Sequence, residues 1–283
     1  MPPAAVLLGF RHRWEQADQP GELDVFADLL PSEEAAAGRA HGLEGTVYDL
    51  RKVVALAADC NPNLLELLFC REEEVRLCTP LGRRLRAAAS AFLSQRVRQS
   101  YGGYARGQLA RIRTHRHWLL EPPAAPPTRA AFGLPEHGLL PAEQLALGGQ
   151  ERRFRAAQKG WEQYQGWLRS RNPARAALEA AHGYDTKHGA HLVRLLRMAG
   201  EILETGQVHV WRGDRDGPEL QAIRAGAWPY EALIAWAEAA DAALDALLAS
   251  GRAVVPAQPD LDALEALTVS LMQEGLREPG GSR

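Results

Sequence analysis

Two groups of side chains in this sequence have the types and spacing to do chemistry. Glu22-Leu23-Asp24 places two carboxylates at i and i+2, which on a strand puts both on one face. Converging carboxylates are what a hard divalent cation such as Mg2+ requires, since it takes oxygen ligands from one or two acids and from substrate phosphates. Upstream, the apolar run Val6-Leu7-Leu8 ends at Gly9, followed by Phe10, Arg11 and His12. A turn there could present backbone N–H groups and the Arg11 guanidinium to a triphosphate. The second group is Lys187, His191 and Arg194, at i, i+4 and i+7, which share one face of a helix. A point charge, an imidazole and a forked guanidinium in one row suit phosphate binding. His188 lies one position round from Lys187, and His188 with His191 could form half of a metal site, although no further ligand is evident nearby in sequence. Tyr104, Gln108 and Arg111 share a face in the same way. Trp118 reads as core, with base stacking as the alternative.

The elements that must position these groups divide into two styles. The first third is mixed: Leu8 enters a turn at Gly9, and Leu23 to Leu30 and Thr46-Val47-Tyr48 are short strand candidates. Leu50 to Ala58 and Asn63 to Phe69 read as helices, punctuated by Asn61-Pro62. After Leu81 the pattern is helical, with amphipathic stretches at 81–99 and 101–118 separated near Gly102-Gly103. Residues 121–135 carry five prolines and read as an extended loop. An aromatic stripe at Phe154, Trp161, Tyr164 and Trp167 marks a core face. Tyr184 to Glu204 and Tyr230 to Ala249 are strong helices, with Leu192, Leu195, Leu196, Ala199 and Ile202 as the core side of the first.

Composition is that of an ordinary globular protein, 46% apolar and 24% charged over 283 residues, which excludes a disordered tail, a fibre and a disulfide-stapled mini-fold. Three cysteines without a C-x-x-C pair read as reduced thiols, so a cytoplasmic location is expected. No run of about 18 apolar residues exists, so no membrane partner is expected. The net charge of −2 conceals a segregation. From Val75 to Leu120 there is no acid and there are ten arginines, so that window carries +10 and the remainder, −2 less +10, carries −12. Such a block makes a local positive field to which polyanions respond, so the 75–120 segment is the expected polyanion-binding surface. Arginine supplies the basic charge almost throughout, and only Lys52, Lys159 and Lys187 are lysines.

An ordered set of motifs resembles the DNA-polymerase-β-like nucleotidyltransferases of the RNA-repair branch. The residues are Tyr48-Asp49-Leu50-Arg51-Lys52, Asn61 to Phe69, Gly103-Tyr104-Ala105 with Gln108-Leu109 and Arg111-Ile112, and His115 to Pro123. They continue with Pro127-Thr128-Arg129, Phe132 to Pro135, and Gly183-Tyr184-Asp185-Thr186-Lys187-His188 followed by His191, Arg194 and Leu195. The resemblance runs from residue 47 to about residue 250. It implies that Gly9-Phe10-Arg11 stands where the family has Gly-Ser-Arg, and Glu22-Leu23-Asp24 where the family has an Asp-x-Asp strand. Phe10 brings no hydroxyl to the phosphates and Glu22 is a methylene too long. Gly38-Arg39-Ala40-His41-Gly42 imitates the first motif but leaves too little chain for an acidic strand before Tyr48.

The resemblance implies an α+β protein: a small mixed-sheet nucleotidyltransferase lobe over 1–80, then a larger helical lobe over 81–275. The latter comprises basic helices at 81–120, the proline-rich loop at 121–135 and helices from 150 to 250. It further implies that Glu22 and Asp24 clamp two Mg2+ ions, with Asp49 as third carboxylate and Glu44 as the alternative. Gly9, Arg11, Tyr104, Gln108, Arg111, Lys187, His191 and Arg194 would contact the nucleotide. An acceptor hydroxyl, expected at an RNA end, would attack the α-phosphorus of an NTP in line and expel pyrophosphate. With Phe10 and Glu22 at the catalytic end, the alternative is an impaired enzyme that retains NTP or RNA binding.

Overall fold

The computed structural model describes residues 8–11, 23–26, 48–75, 78–138 and 141–277. Two strands form, β1 (Leu8–Arg11) and β2 (Leu23–Phe26), and β1 runs on through Gly9, Phe10 and Arg11, where a turn was expected. They pair antiparallel with each other, Gly9 opposite Val25, Phe10 opposite Asp24 and Arg11 opposite Leu23. No further strand joins them among the described residues, and everything else there is helix and connection. This overturns the expected α+β class with its mixed-sheet lobe: the described architecture is helical. The physical reason is that two four-residue strands make a ribbon too small to own a core, while the residues beside it form helices that bury their apolar faces on one another.

Among the described residues ten α-helices follow: α1 (Leu50–Ala58), α2 (Pro62–Leu68), α3 (Pro80–Ala87), α4 (Val97–Leu120) and α5 (Pro141–Ser170). The remainder are α6 (Pro173–His182), α7 (Thr186–Thr205), α8 (Gly217–Arg224), α9 (Tyr230–Ala249) and α10 (Leu261–Arg277). Local chemistry sets several starts. Asp49, Asn61, Thr79, Asn172 and Asp185 each accept backbone N–H bonds at an N-cap, and Pro62, Pro80 and Pro173 follow their caps, where a missing N–H does no harm. Gly183 and Gly206 close α6 and α7 with φ of 75° and 68°, a left-handed conformation that favours glycine.

The core is one continuous cluster from Leu50 to Leu271, with α7 as its spine. Leu192, Val193, Leu195, Met198, Ala199 and Ile202 are all essentially inaccessible, so α7 is covered on more sides than an amphipathic surface helix. α4 packs along it, α8 and α9 flank it, and α10 returns to cover α1 and α3.

The break expected at Gly102-Gly103 does not occur; α4 runs through both glycines. A Cβ on Gly102 would stand 2.3 Å from Nη1 of Arg98. The glycine is there to admit that guanidinium, which is clamped by Asp241 and Asp245 of α9 through four hydrogen bonds of 2.7–3.1 Å.

A cationic cavity as candidate functional site

Three elements meet at the lower end of α4. On α4 itself, Arg111, His115 and Trp118 fall at i, i+4 and i+7, one face of the helix. Against it stand the end of α5, with Trp167, and the start of α6, where Asn172 caps the helix and Arg175 projects from its first turn. The third element is the start of α7, with Asp185 at its N-cap and His188 one turn in. The turn from α6 into α7 is fixed from behind. Arg116 Nη1 donates to the Gly183 carbonyl at 2.9 Å while its guanidinium lies 4.1 Å from the Tyr230 ring, and the Tyr184 hydroxyl donates to the Trp228 carbonyl at 2.8 Å.

These elements enclose a cavity of about 270 Å3. Arg175 Nη2 stands 3.0 Å from Asp185 Oδ2 and 3.4 Å from His188 Nε2. The same His188 Nε2 lies 3.6 Å from Asp185 Oδ2. Burial pushes the His188 pKa down to about 4, further than the neighbouring Asp185 carboxylate lifts it. Burial lowers the His115 pKa in the same way, so both imidazoles are neutral at pH 7. Their rings lie 5.9 Å apart. Arg171 Nε donates to Glu179 Oε2 at 2.7 Å and its guanidinium covers Trp167 at 4.5 Å. Burial raises the Glu179 pKa against the pull of Arg171.

His115, Asp185 and His188 each offer a ligand atom, all within 4.8 Å of one another. Two imidazoles and one carboxylate do not fit Mg2+, which takes oxygens. Arg175 moreover already delivers a positive charge to the carboxylate oxygen that a cation would need.

Of the residues expected from sequence, Arg111 lines this cavity. Lys187 and His191 are half-buried on α7, while Arg194 is buried in an ion pair with Glu66, so the three do not form an exposed row. Tyr104 accepts from Asn61 Nδ2 at 3.0 Å, tying α4 to the cap of α2, and Gln108 is buried. Asp49 Oδ1 accepts from the Lys52 backbone at 3.0 Å as the cap of α1. Gly9, Arg11 and Asp24 lie on the β1–β2 ribbon, with only their strand pairing described; Glu22 and Glu44 lie outside the described residues. Trp118 is core, stacked on His115 with centroids 5.6 Å apart. His115, Arg175 and Asp185 were missed as site residues. The signal for two of them was present, because His115 and Asp185 stand inside the quoted motifs. The signal for Arg175 was not.

The basic block is mostly neutralised in place. Of its nine described arginines, Arg84, Arg86, Arg96, Arg98, Arg106, Arg113 and Arg116 each have a carboxylate within 4.0 Å. Several of those acids are Asp241, Glu238, Glu231 and Glu274 of the last two helices.

Residues 36–127 match the model of the RNA repair pathway DNA polymerase beta family. That is the family the motifs resemble. The matched segment includes Arg111, His115 and Trp118, whereas Arg175, Asp185 and His188 lie beyond it. Neither a curated protein nor a solved structure matches the chain. Among the described residues no helix is long and apolar enough to cross a membrane.

Proposed function

We propose that this protein is a nucleotidyltransferase of RNA repair that transfers an NMP group from an NTP to a hydroxyl at an RNA end. The family match supports polymerase-β-like nucleotidyl transfer in RNA repair. The observation that carries the reading is that family match, and beside it stands the cavity. There His115, from inside the matched segment, meets Asp185 and His188, from the Gly183–His188 motif, among three guanidinium groups. Arg111, which has no carboxylate partner among the described residues, favours there the charge carried by a phosphate.

In the proposed reaction the acceptor oxygen bonds to the α-phosphorus, the bond to the β-phosphate bridging oxygen breaks, pyrophosphate leaves, and the hydroxyl proton passes to solvent or a base. Glu22 and Asp24, oxygen donors of the kind Mg2+ takes, are the residues proposed to hold it, with Asp49 as third carboxylate. Mg2+ when bound would neutralise charge on the triphosphate. Arg111 and the 75–120 segment would hold the RNA.

The test is incubation of the full chain with Mg2+, labelled NTPs and RNA. Pyrophosphate release that Asp24→Ala lowers by orders of magnitude is the expected result. Phe10 and Glu22, which replace the family's hydroxyl and shorter acid, favour a second reading, an impaired enzyme. Nucleotide binding with no release in the wild type would establish that reading instead.

A further inference from the structure

A second cavity of about 380 Å3 adjoins the first and shares Arg111, His115 and Trp167 with it. The two differ in character. The first is lined by Arg171, Arg175 and Asn172; the second runs along the indoles of Trp118 and Trp167, with Gln163 at its edge. Charge decides what the polar end can take. Arg171 is matched by Glu179 and Arg175 by Asp185, and Arg111 has no carboxylate partner among the described residues. With both histidines neutral, the excess is a single positive charge. That fits one phosphoryl group and leaves a triphosphate largely uncompensated. Next door, Trp167 is half-buried and lines the second cavity, where the part of its indole that the Arg171 guanidinium leaves uncovered can pack on a nucleobase of any sequence.

We propose that the two cavities form one site for a nucleoside monophosphate unit, with its phosphoryl group between Arg111 and Arg175 and its base against Trp167. The unit comes either from a phosphate-terminated RNA or from free nucleotide. The transfer reading is used only to name RNA as the strand, in which case the site recognises a phosphate-bearing end.

The experiment is fluorescence anisotropy on the full chain with short single-stranded RNAs. Each is labelled at one end and carries either a phosphate or a hydroxyl at the other, on the 5′ or the 3′ side, and AMP and ATP serve as competitors. A phosphate-ended RNA should bind about tenfold or more tightly than its hydroxyl twin. Arg111→Ala, at an exposed position, should abolish that difference with an unchanged thermal midpoint, Trp167→Leu should weaken binding of both twins, and Lys159→Ala should change nothing. If AMP competes through Arg111 while the RNA ends are not distinguished, the unit is free nucleotide and the site stands. ATP binding tenfold tighter than AMP in an Arg111-dependent way would overturn the proposal. So would the absence of both phosphate discrimination and AMP competition. Pyrophosphate release separates the two readings: phosphate discrimination without release sinks transfer alone, and release without discrimination sinks this site alone.

Discussion

Arg194 separates a phosphate ligand from a structural charge. Its side chain is 1% exposed and that of Glu66, its partner across the α7–α2 contact, is 2% exposed. Both sit beside Tyr101, whose hydroxyl is buried without a hydrogen bond and whose pKa is driven far up by burial. Replacing Arg194 by Met keeps the volume and leaves the Glu66 carboxylate buried with its main counter-charge gone. Removing one partner of such a pair destabilises by about 3–5 kcal/mol, which in a chain of this size lowers the thermal midpoint by roughly 5–8 °C. Exchanging both, Arg194→Met with Glu66→Leu, removes the stranded charge, and the double variant should recover most of the loss because desolvation opposes the native pair as well. The assay is urea unfolding and thermal melting of the two single variants and the double, read as a double-mutant cycle. A strongly non-additive cycle is expected. If Arg194→Met melts within about 1 °C of wild type and loses nucleotide binding, the buried-pair account is wrong and the guanidinium is a ligand.

Two further outcomes follow from the electrostatics. His188 has a folded pKa of about 4 against an ordinary value of 6.5, set first by burial, then raised by Asp185 and lowered by Arg175, His115 and Arg111. Between those values the unfolded chain binds a proton that the folded chain does not. Stability therefore falls as pH drops from about 6.5 towards 4 and is flat above; His188→Gln should make that fall shallower, and an unchanged profile in urea unfolding at pH 7.5, 6 and 5 would refute it. The basic block should bind RNA with weak salt dependence. Among its described arginines only Arg83 and Arg111 lack a carboxylate partner, so the slope of log affinity on log salt should be about −1 to −2, where ten free charges would give about −7.

The features that could be read from sequence are those settled within a turn or two of chain. Asn61-Pro62 starts α2 and the Tyr230–Ala249 pattern is α9, because caps and periodicity act locally. The misreadings share a different cause: each depended on what lies across the fold. Gly102-Gly103 looked like a break because nothing nearby shows that Arg98 needs the space to reach acids more than 140 residues away. Lys187, His191 and Arg194 do share an angular sector of α7, but spacing says nothing about what covers that sector, and α2 covers Arg194. The strands at Leu8 and Leu23 form, yet no third strand pairs with them among the described residues, so the lobe inferred from them does not follow. The segregation of +10 from −12 has the same character. Read along the chain it is a field waiting for a polyanion; folded, it is largely the means by which α4 docks on α9 and α3 on α10. A charge spent on docking cannot also attract a distant ligand, so electrostatic function belongs where that compensation stops. On α4 it stops at Arg111, the arginine that faces the cavity built from His115, Asp185 and His188.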